Sequence, residues 1–196
     1  MKRGRLLPAR FMMLVVTTFI VARSSFGNGG EEVPVPLELQ AHLLAKVMSY
    51  DRNLAMRAGS RVNIAVVGMP SEPTSMPVAR QMRQMLGSLG DFELPHDVQI
   101  LQFTNASDLA DKCKSGSISL VYFATGFHKD VEAIRSSLEP LPILTVTAIP
   151  EEVEKGIVLG FDLVHGRPKL IFHRTQALKQ KVDMPSDVLK LMRIVE

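Results

Sequence analysis

The sequence predicts an α/β domain with a mixed sheet, mainly parallel in βαβ order, that ends in an antiparallel β-hairpin and carries helices on both faces. Apolar segments of strand length alternate with segments whose apolar residues recur at helical spacing, which is typical of parallel sheets with crossover helices. Two strand-like segments near the C-terminus are joined by a short glycine-containing link, as in a hairpin. The chain has 196 residues, of which 46% are hydrophobic and 22% charged, the size and composition of one globular domain.

Local signals predict each element in chain order. The predicted elements are a helix from Pro36, a strand at 62–67, a helix from Val78 after a loop at 68–77, a strand at 97–103, a helix capped by Asn105, a strand at 119–123, a helix at 131–138, a strand at 144–148, a helical turn at 150–152, strands at 157–164 and 168–173, a helix at 175–181 and a last helix from Ser186. Pro36 suits a first helical turn because its missing N–H costs nothing there. The strand at 62–67 is apolar nearly throughout, which indicates burial on both faces.

The first 27 residues have the parts of an export signal. Residues 1–10 are basic, residues 11–22 are apolar or threonine, and small residues precede a cleavage site after Gly27. The run is shorter than the roughly 20 apolar residues of a bilayer span. We therefore predict a signal peptide at 1–27, a flexible lead at 28–35 and a single domain at 36–196, periplasmic and without a membrane span after signal removal. A retained signal-anchor is the alternative.

The charge distribution argues against a nucleic-acid partner. The formal net charge is +3, but the first 27 residues contain five basic residues and no acidic one. Without them, 18 of the 23 basic residues stand against 20 acidic residues, a net charge of −2. A slightly acidic domain is a poor binder of a phosphate backbone.

The sequence contains no catalytic or cofactor-binding motif. The phosphate-binding motifs G-x-x-x-x-G-K-[ST] and G-x-G-x-x-G, the nucleophile motif G-x-S-x-G and the zinc motif H-E-x-x-H are all missing from the sequence. We therefore predict no enzyme activity, no cofactor and no metal site. Glu151 and Glu152 are predicted to be a solvated helix start rather than an acid–base pair, because adjacent helical residues point in different directions. Cys113 is the only cysteine, which excludes an intrachain disulfide, and its helical position predicts a buried thiol. An enzyme site assembled from distant residues stays an alternative.

Two candidate sites come from position alone. The carboxyl ends of parallel strands form the usual ligand crevice of open α/β sheets, and small polar residues are expected there. The candidate ligand residues are Ser71, Asn105 and Thr125. A second candidate is a partner surface on the segment after the first helix, because exposed aromatic and arginine side chains are frequent at interfaces. Its residues are Tyr50, Arg52 and Arg57.

The mature chain resembles the YfiR-like family of periplasmic proteins. The residues that resemble it are a strand at 62–68, a strand at 157–161, a hairpin arm at 166–172, Ala177 in a short helix and the closing segment 186–195. Two features depart from the family pattern. His173 stands where the family usually has Asn, and the single cysteine excludes the disulfide of the characterised member.

The resemblance implies a regulatory role rather than catalysis. The family's known activity is to bind and repress a membrane-bound diguanylate cyclase from the periplasmic side. We therefore predict an exported regulatory or binding protein with a membrane protein as partner, with a homodimer left open. A periplasmic solute-binding or sensory domain that uses the strand ends is the alternative.

Overall fold

A computed structural model describes residues 31–90, 92 and 94–196. The helices of this part of the chain are α1 Leu37–Ser49, α2 Leu54–Ala58, α3 Ser75–Ser88, α4 Ala106–Ser115, α5 Val131–Leu138, α6 Glu151–Glu154, α7 Arg174–Lys179 and α8 Ser186–Leu189. Its strands are β1 Val62–Gly68, β2 His96–Gln102, β3 Leu120–Phe123, β4 Leu144–Thr147, β5 Leu159–Val164, β6 Arg167–His173 and β7 Arg193–Val195. The predicted signal peptide and its cleavage site at Gly27 lie outside the described residues.

The seven strands of the described chain form one mixed sheet. Their order is β2-β1-β3-β4-β5-β6-β7. All neighbours are parallel except β5 and β6, which pair antiparallel as the predicted hairpin. His165 and Gly166, both at positive φ, form the link between these two strands. The predicted fold class is confirmed.

Helices cover both faces of the sheet. In β1, Ile64 and Val66 belong to one apolar cluster, while Ala65 and Val67 belong to another. This alternation follows from the two-residue period of a strand and makes β1 apolar on both sides. Helices α1 and α3 contribute to the first cluster, and α4 and α5 contribute to the second.

Two predicted elements differ from the structure by more than two residues, whereas the other predicted boundaries lie within two residues of the observed ones. Helix α3 begins at Ser75, before Pro77, because a proline in the first helical turn gives up an N–H that has no partner within the helix. The predicted last helix is a single turn that ends at Leu189, and the chain closes as β7. Strand β7 pairs with β6, which satisfies backbone groups along an otherwise open edge.

The last part of the predicted flexible lead packs on the domain. Val35 is fully buried, and Val33 packs against the same cluster. The side-chain amide of Gln40 donates to the Val35 carbonyl at 2.8 Å. Residues 31–35 therefore lie against the domain, and this position places Glu31 at the ends of the strands.

Candidate functional site

The carboxyl ends of β1 and β3 are joined by serine and threonine side chains. The Met69 N–H, just after β1, donates to the Ser75 hydroxyl oxygen at 2.9 Å. The Ser75 hydroxyl donates to the Thr125 carbonyl, just after β3, at 2.6 Å. The hydroxyls of Thr74 and Thr125 lie 3.0 Å apart. We call the ends of β1, β3 and β4, with the loops that follow them, the rim.

A carboxylate from the lead lies on the rim. The Gly126 N–H donates to one oxygen of Glu31 at 2.6 Å, and the other Glu31 oxygen lies 3.2 Å from Nδ1 of His128. Gly126 has φ +95°, a conformation that side chains rarely adopt, and a Cβ there would lie 2.8 Å from Glu72. Lys155 places its ammonium group 3.2 Å from the His128 carbonyl, to which it donates. A glycine, a histidine and a nearby cation thus surround one carboxylate.

Glu152, next to this cluster, is a buried acid. Its Oε2 accepts from the Thr147 hydroxyl at 2.5 Å, whereas Oε1 has no hydrogen-bond partner among the described residues. Burial raises the pKa of Glu152 to about 8; the negative charge of Glu31 raises it further, and the Thr147 hydrogen bond and Lys155 oppose the rise. The carboxyl group is therefore mostly uncharged at pH 7.

The predicted solvated helix start is correct for Glu151 and wrong for Glu152. Glu151 is exposed, while Glu152 and Val153 are buried. Gly160 of β5 explains the difference, because a Cβ at that position would lie 2.5 Å from the Val153 side chain. The missing side chain lets α6 lie directly on the sheet, and this close packing carries Glu152 inward.

The three predicted ligand residues have different surroundings. Thr125 is buried in the rim and bonds to Thr74, as described above. Ser71 is exposed in the loop that follows β1. Asn105 is exposed after β2 and caps α4, since its side-chain oxygen accepts from the Asp108 N–H at 2.9 Å. A ligand role for all three stays a prediction, and of the three Thr125 is the one that adjoins the Glu31 cluster, through Gly126.

Sequence reasoning missed the residues that make the rim polar. The sequence predicts a flexible lead around Glu31, and His128 and Lys155 do not form a recognisable motif with it. Gly126, directly after the third strand, was the one usable signal. Its positive φ and the bond of its N–H to Glu31 depend on the folded loop, and no side-chain motif reveals them.

The predicted partner surface loses one of its three residues. Tyr50 is 42% exposed and the Arg52 side chain is 61% exposed. The Arg57 side chain is fully buried, where it pairs with Asp51 and donates to the Ser119 carbonyl at 2.8 Å. Arg57 therefore offers nothing to a partner, and sequence could not show this because Ser119 lies far along the chain.

A comparison with models of protein families identifies the family of the chain. The model of the YfiR/HmsC-like family matches residues 38–193. The chain belongs to this family. No protein with a curated description matches it significantly.

Two solved structures share the fold of this YfiR/HmsC-like protein. A conserved domain protein from Vibrio cholerae has 14% identity and a TM-score of 0.55, with 82% of this chain and 60% of that chain covered. An ABC domain in complex with L-Trp from Streptococcus pneumonia has 12% identity and a TM-score of 0.59, with 82% and 62% covered. The chain thus spans about three fifths of the length of each. At this identity the likeness shows the fold alone.

His173 and Cys113, the two residues that depart from the family pattern, each have a defined environment in the structure. His173 caps α7, because its Nδ1 accepts from the Gln176 N–H at 3.4 Å. Burial lowers the pKa of His173, which favours the neutral ring that can accept. Cys113 is buried, and burial raises the pKa of its thiol to about 12. The residue behaves as a small apolar side chain of this YfiR/HmsC-like domain.

Neither a metal centre nor a membrane span is found in the described part of the chain. No group of three or more His, Cys, Asp and Glu residues there could hold a metal ion. Its helices are all too short or too polar to cross a bilayer.

Proposed function

We propose that the protein is an exported, non-enzymatic regulator that acts in the periplasm by contacting a membrane-bound signalling partner. The observation that carries this proposal is membership of the YfiR/HmsC-like family over residues 38–193. The signal pattern of residues 1–27 and the absence of a catalytic motif in the sequence support it. The partner class that the resemblance implies is a diguanylate cyclase.

We propose that the partner contacts the segment between α1 and α2. Tyr50 and Arg52 are exposed there, and Met56 on α2 is 65% exposed. Aromatic, methionine and arginine side chains are enriched at interfaces. The segment is also held rigidly, since the Arg52 N–H donates to the Asp183 carbonyl at 3.0 Å above the buried Arg57 pair. A rigid surface loses little entropy on binding.

The test uses cells that lack the protein and are supplied with variants of the full chain. We expect removal of the protein to raise cellular cyclic di-GMP and the intact chain to restore the level. The double variant Tyr50→Ala/Arg52→Ala should not restore it and should lose its crosslink to an inner-membrane protein. The control Leu163→Ala/Arg167→Ala, an exposed apolar and arginine pair on the hairpin, should behave as the intact chain.

Two results would count against this function. An unchanged cyclic di-GMP level after removal would contradict the partner class. Full restoration by Tyr50→Ala/Arg52→Ala, with its crosslink retained, would contradict the assigned surface.

A second candidate function is solute binding at the rim. The carboxyl ends of parallel strands are the usual ligand crevice, and the Glu31 carboxylate is seated on polar groups there. The fold neighbour described as a complex with L-Trp also supports a ligand role. A ligand at 100 times its Kd adds about 2.7 kcal/mol of stability, which a thermal-shift screen of metabolites detects. A flat response across the screen would contradict this function.

A further inference from the structure

The rim contacts both oxygens of one carboxylate, and that carboxylate belongs to the chain itself. The Gly126 N–H donates to Oε2 of Glu31 at 2.6 Å, and Nδ1 of His128 lies 3.2 Å from Oε1. One N–H donor on one oxygen, with a histidine ring nitrogen within ion-pair distance of the other, is a pair of contacts that would also receive a free carboxylate. We propose that the rim binds a small carboxylate ligand and that Glu31 is its competitor from within the chain. This inference rests on the second proposed function, solute binding at the rim.

The surroundings of Glu31 favour an anion. Gly126 has φ +95°, with Glu72 in the space that a side chain would need, and its N–H already donates to a carboxylate oxygen. Lys155 donates to the His128 carbonyl and brings a positive charge to the same loop. Glu152, the nearest buried acid, is mostly uncharged at pH 7 and adds little repulsion. The Gly126 N–H and the Lys155 charge favour a carboxylate here, and Glu72, whose side chain packs at Gly126, is the acidic group that opposes one.

Glu31 is tethered but removable. It lies four residues before Val35, which is fully buried and anchors the lead on the domain. A short tether gives its carboxylate a high effective concentration, on the order of millimolar. The Glu31 side chain is nevertheless 26% exposed, so solvent reaches the bound group. A free carboxylate therefore binds only when Glu31 has left, and its apparent affinity is reduced by the fraction of open molecules.

The test is a titration with sodium acetate, with sodium chloride at equal ionic strength as reference, followed by amide and histidine NMR signals. We expect saturable shifts of the Gly126 amide and the His128 ring with acetate only. In Glu31→Ala, the apparent Kd for acetate should fall about tenfold, as for a site that is closed about nine tenths of the time. Glu32→Ala removes the same charge from the adjacent exposed residue and should behave as the intact chain.

Two outcomes would overturn the proposal. One is the absence of an acetate-specific shift at Gly126 in folded Glu31→Ala protein, as judged from the dispersion of the same spectrum. The other is an equal acetate affinity with and without Glu31. A metabolite that stabilises the protein although acetate has no effect would refute the carboxylate site and leave solute binding intact. Acetate binding with a flat metabolite screen would support the carboxylate site and contradict a role in binding the metabolites screened.

Discussion

The buried acid Glu152 makes the stability of the protein depend on pH, and Glu152→Gln should remove that dependence. The variant keeps an oxygen to accept from the Thr147 hydroxyl, which lies 2.5 Å from the carboxyl group. It also keeps the volume of the side chain and cannot ionise. The comparison therefore isolates the free energy of charging this one group inside the protein.

The magnitude follows from the pKa. Burial raises the pKa of Glu152 from 4.5 to about 8, and each unit is worth about 1.4 kcal/mol. The folded state binds the proton more tightly, so the contribution to stability is fully present below about pH 4.5 and is lost as the pH rises through 8. The loss is about 3 kcal/mol at pH 7 and approaches about 5 kcal/mol above pH 8.

The assay is urea unfolding at pH 5, 6, 7 and 8, followed by circular dichroism. We expect the free energy of unfolding of Glu152→Gln, relative to the intact chain, to increase by about 3 to 4 kcal/mol from pH 5 to pH 8. Glu151→Gln changes the exposed neighbour and should show no such trend. A difference between Glu152→Gln and the intact chain that stays constant over this range would refute the reasoning.

Three further predictions concern residues whose surroundings are now defined. Arg57→Ala removes the ion-pair partner of the buried Asp51 side chain, so it should cost about 3 to 5 kcal/mol in urea unfolding, whereas Arg52→Ala should stay within about 0.5 kcal/mol; equal costs would contradict the assignment of the buried pair. Asn105→Ala removes the cap of α4 and should cost about 1 kcal/mol, and an unchanged midpoint would show that the cap is dispensable. Cys113 should react with a thiol reagent only after unfolding, and rapid labelling of the native protein would contradict its burial.

The elements with strong local signals were predictable from the sequence. Strand 62–67 is apolar throughout most of its length, and the structure covers it on both faces. Asn105 caps its helix, and the two C-terminal strands pair as a hairpin. Each of these signals acts over a few residues, so the sequence contains all that is needed.

The elements that were missed depend on distant residues. The closing segment has helical spacing, but an unpaired edge of β6 competes for its backbone and forms β7. Arg57 resembles a surface arginine until the Ser119 carbonyl and Asp51 enclose it. Glu152 has the sequence context of a solvated acid, but Gly160 leaves room for α6 to pack against the sheet, and Glu152 is buried there. Tertiary packing decides all three cases, and none of the deciding partners is adjacent in sequence.

The two proposed sites lie at opposite ends of the same strands and should act independently. Arg57 beneath the partner surface bonds to Ser119, just before β3, whereas the Glu31 cluster contacts Gly126, just after it. Strand β3 between them is fully buried and paired on both sides, so we expect it to act as a rigid element between the two sites.

Effects at well-separated sites without shared partners are usually additive. Glu31→Ala should therefore change acetate affinity and leave the crosslink to the membrane partner unchanged, while Tyr50→Ala/Arg52→Ala should do the opposite. If Glu31→Ala alone abolished the crosslink, the rigid-strand argument would fail. The lead would then couple the two sites, because it continues into α1, which ends just before Tyr50.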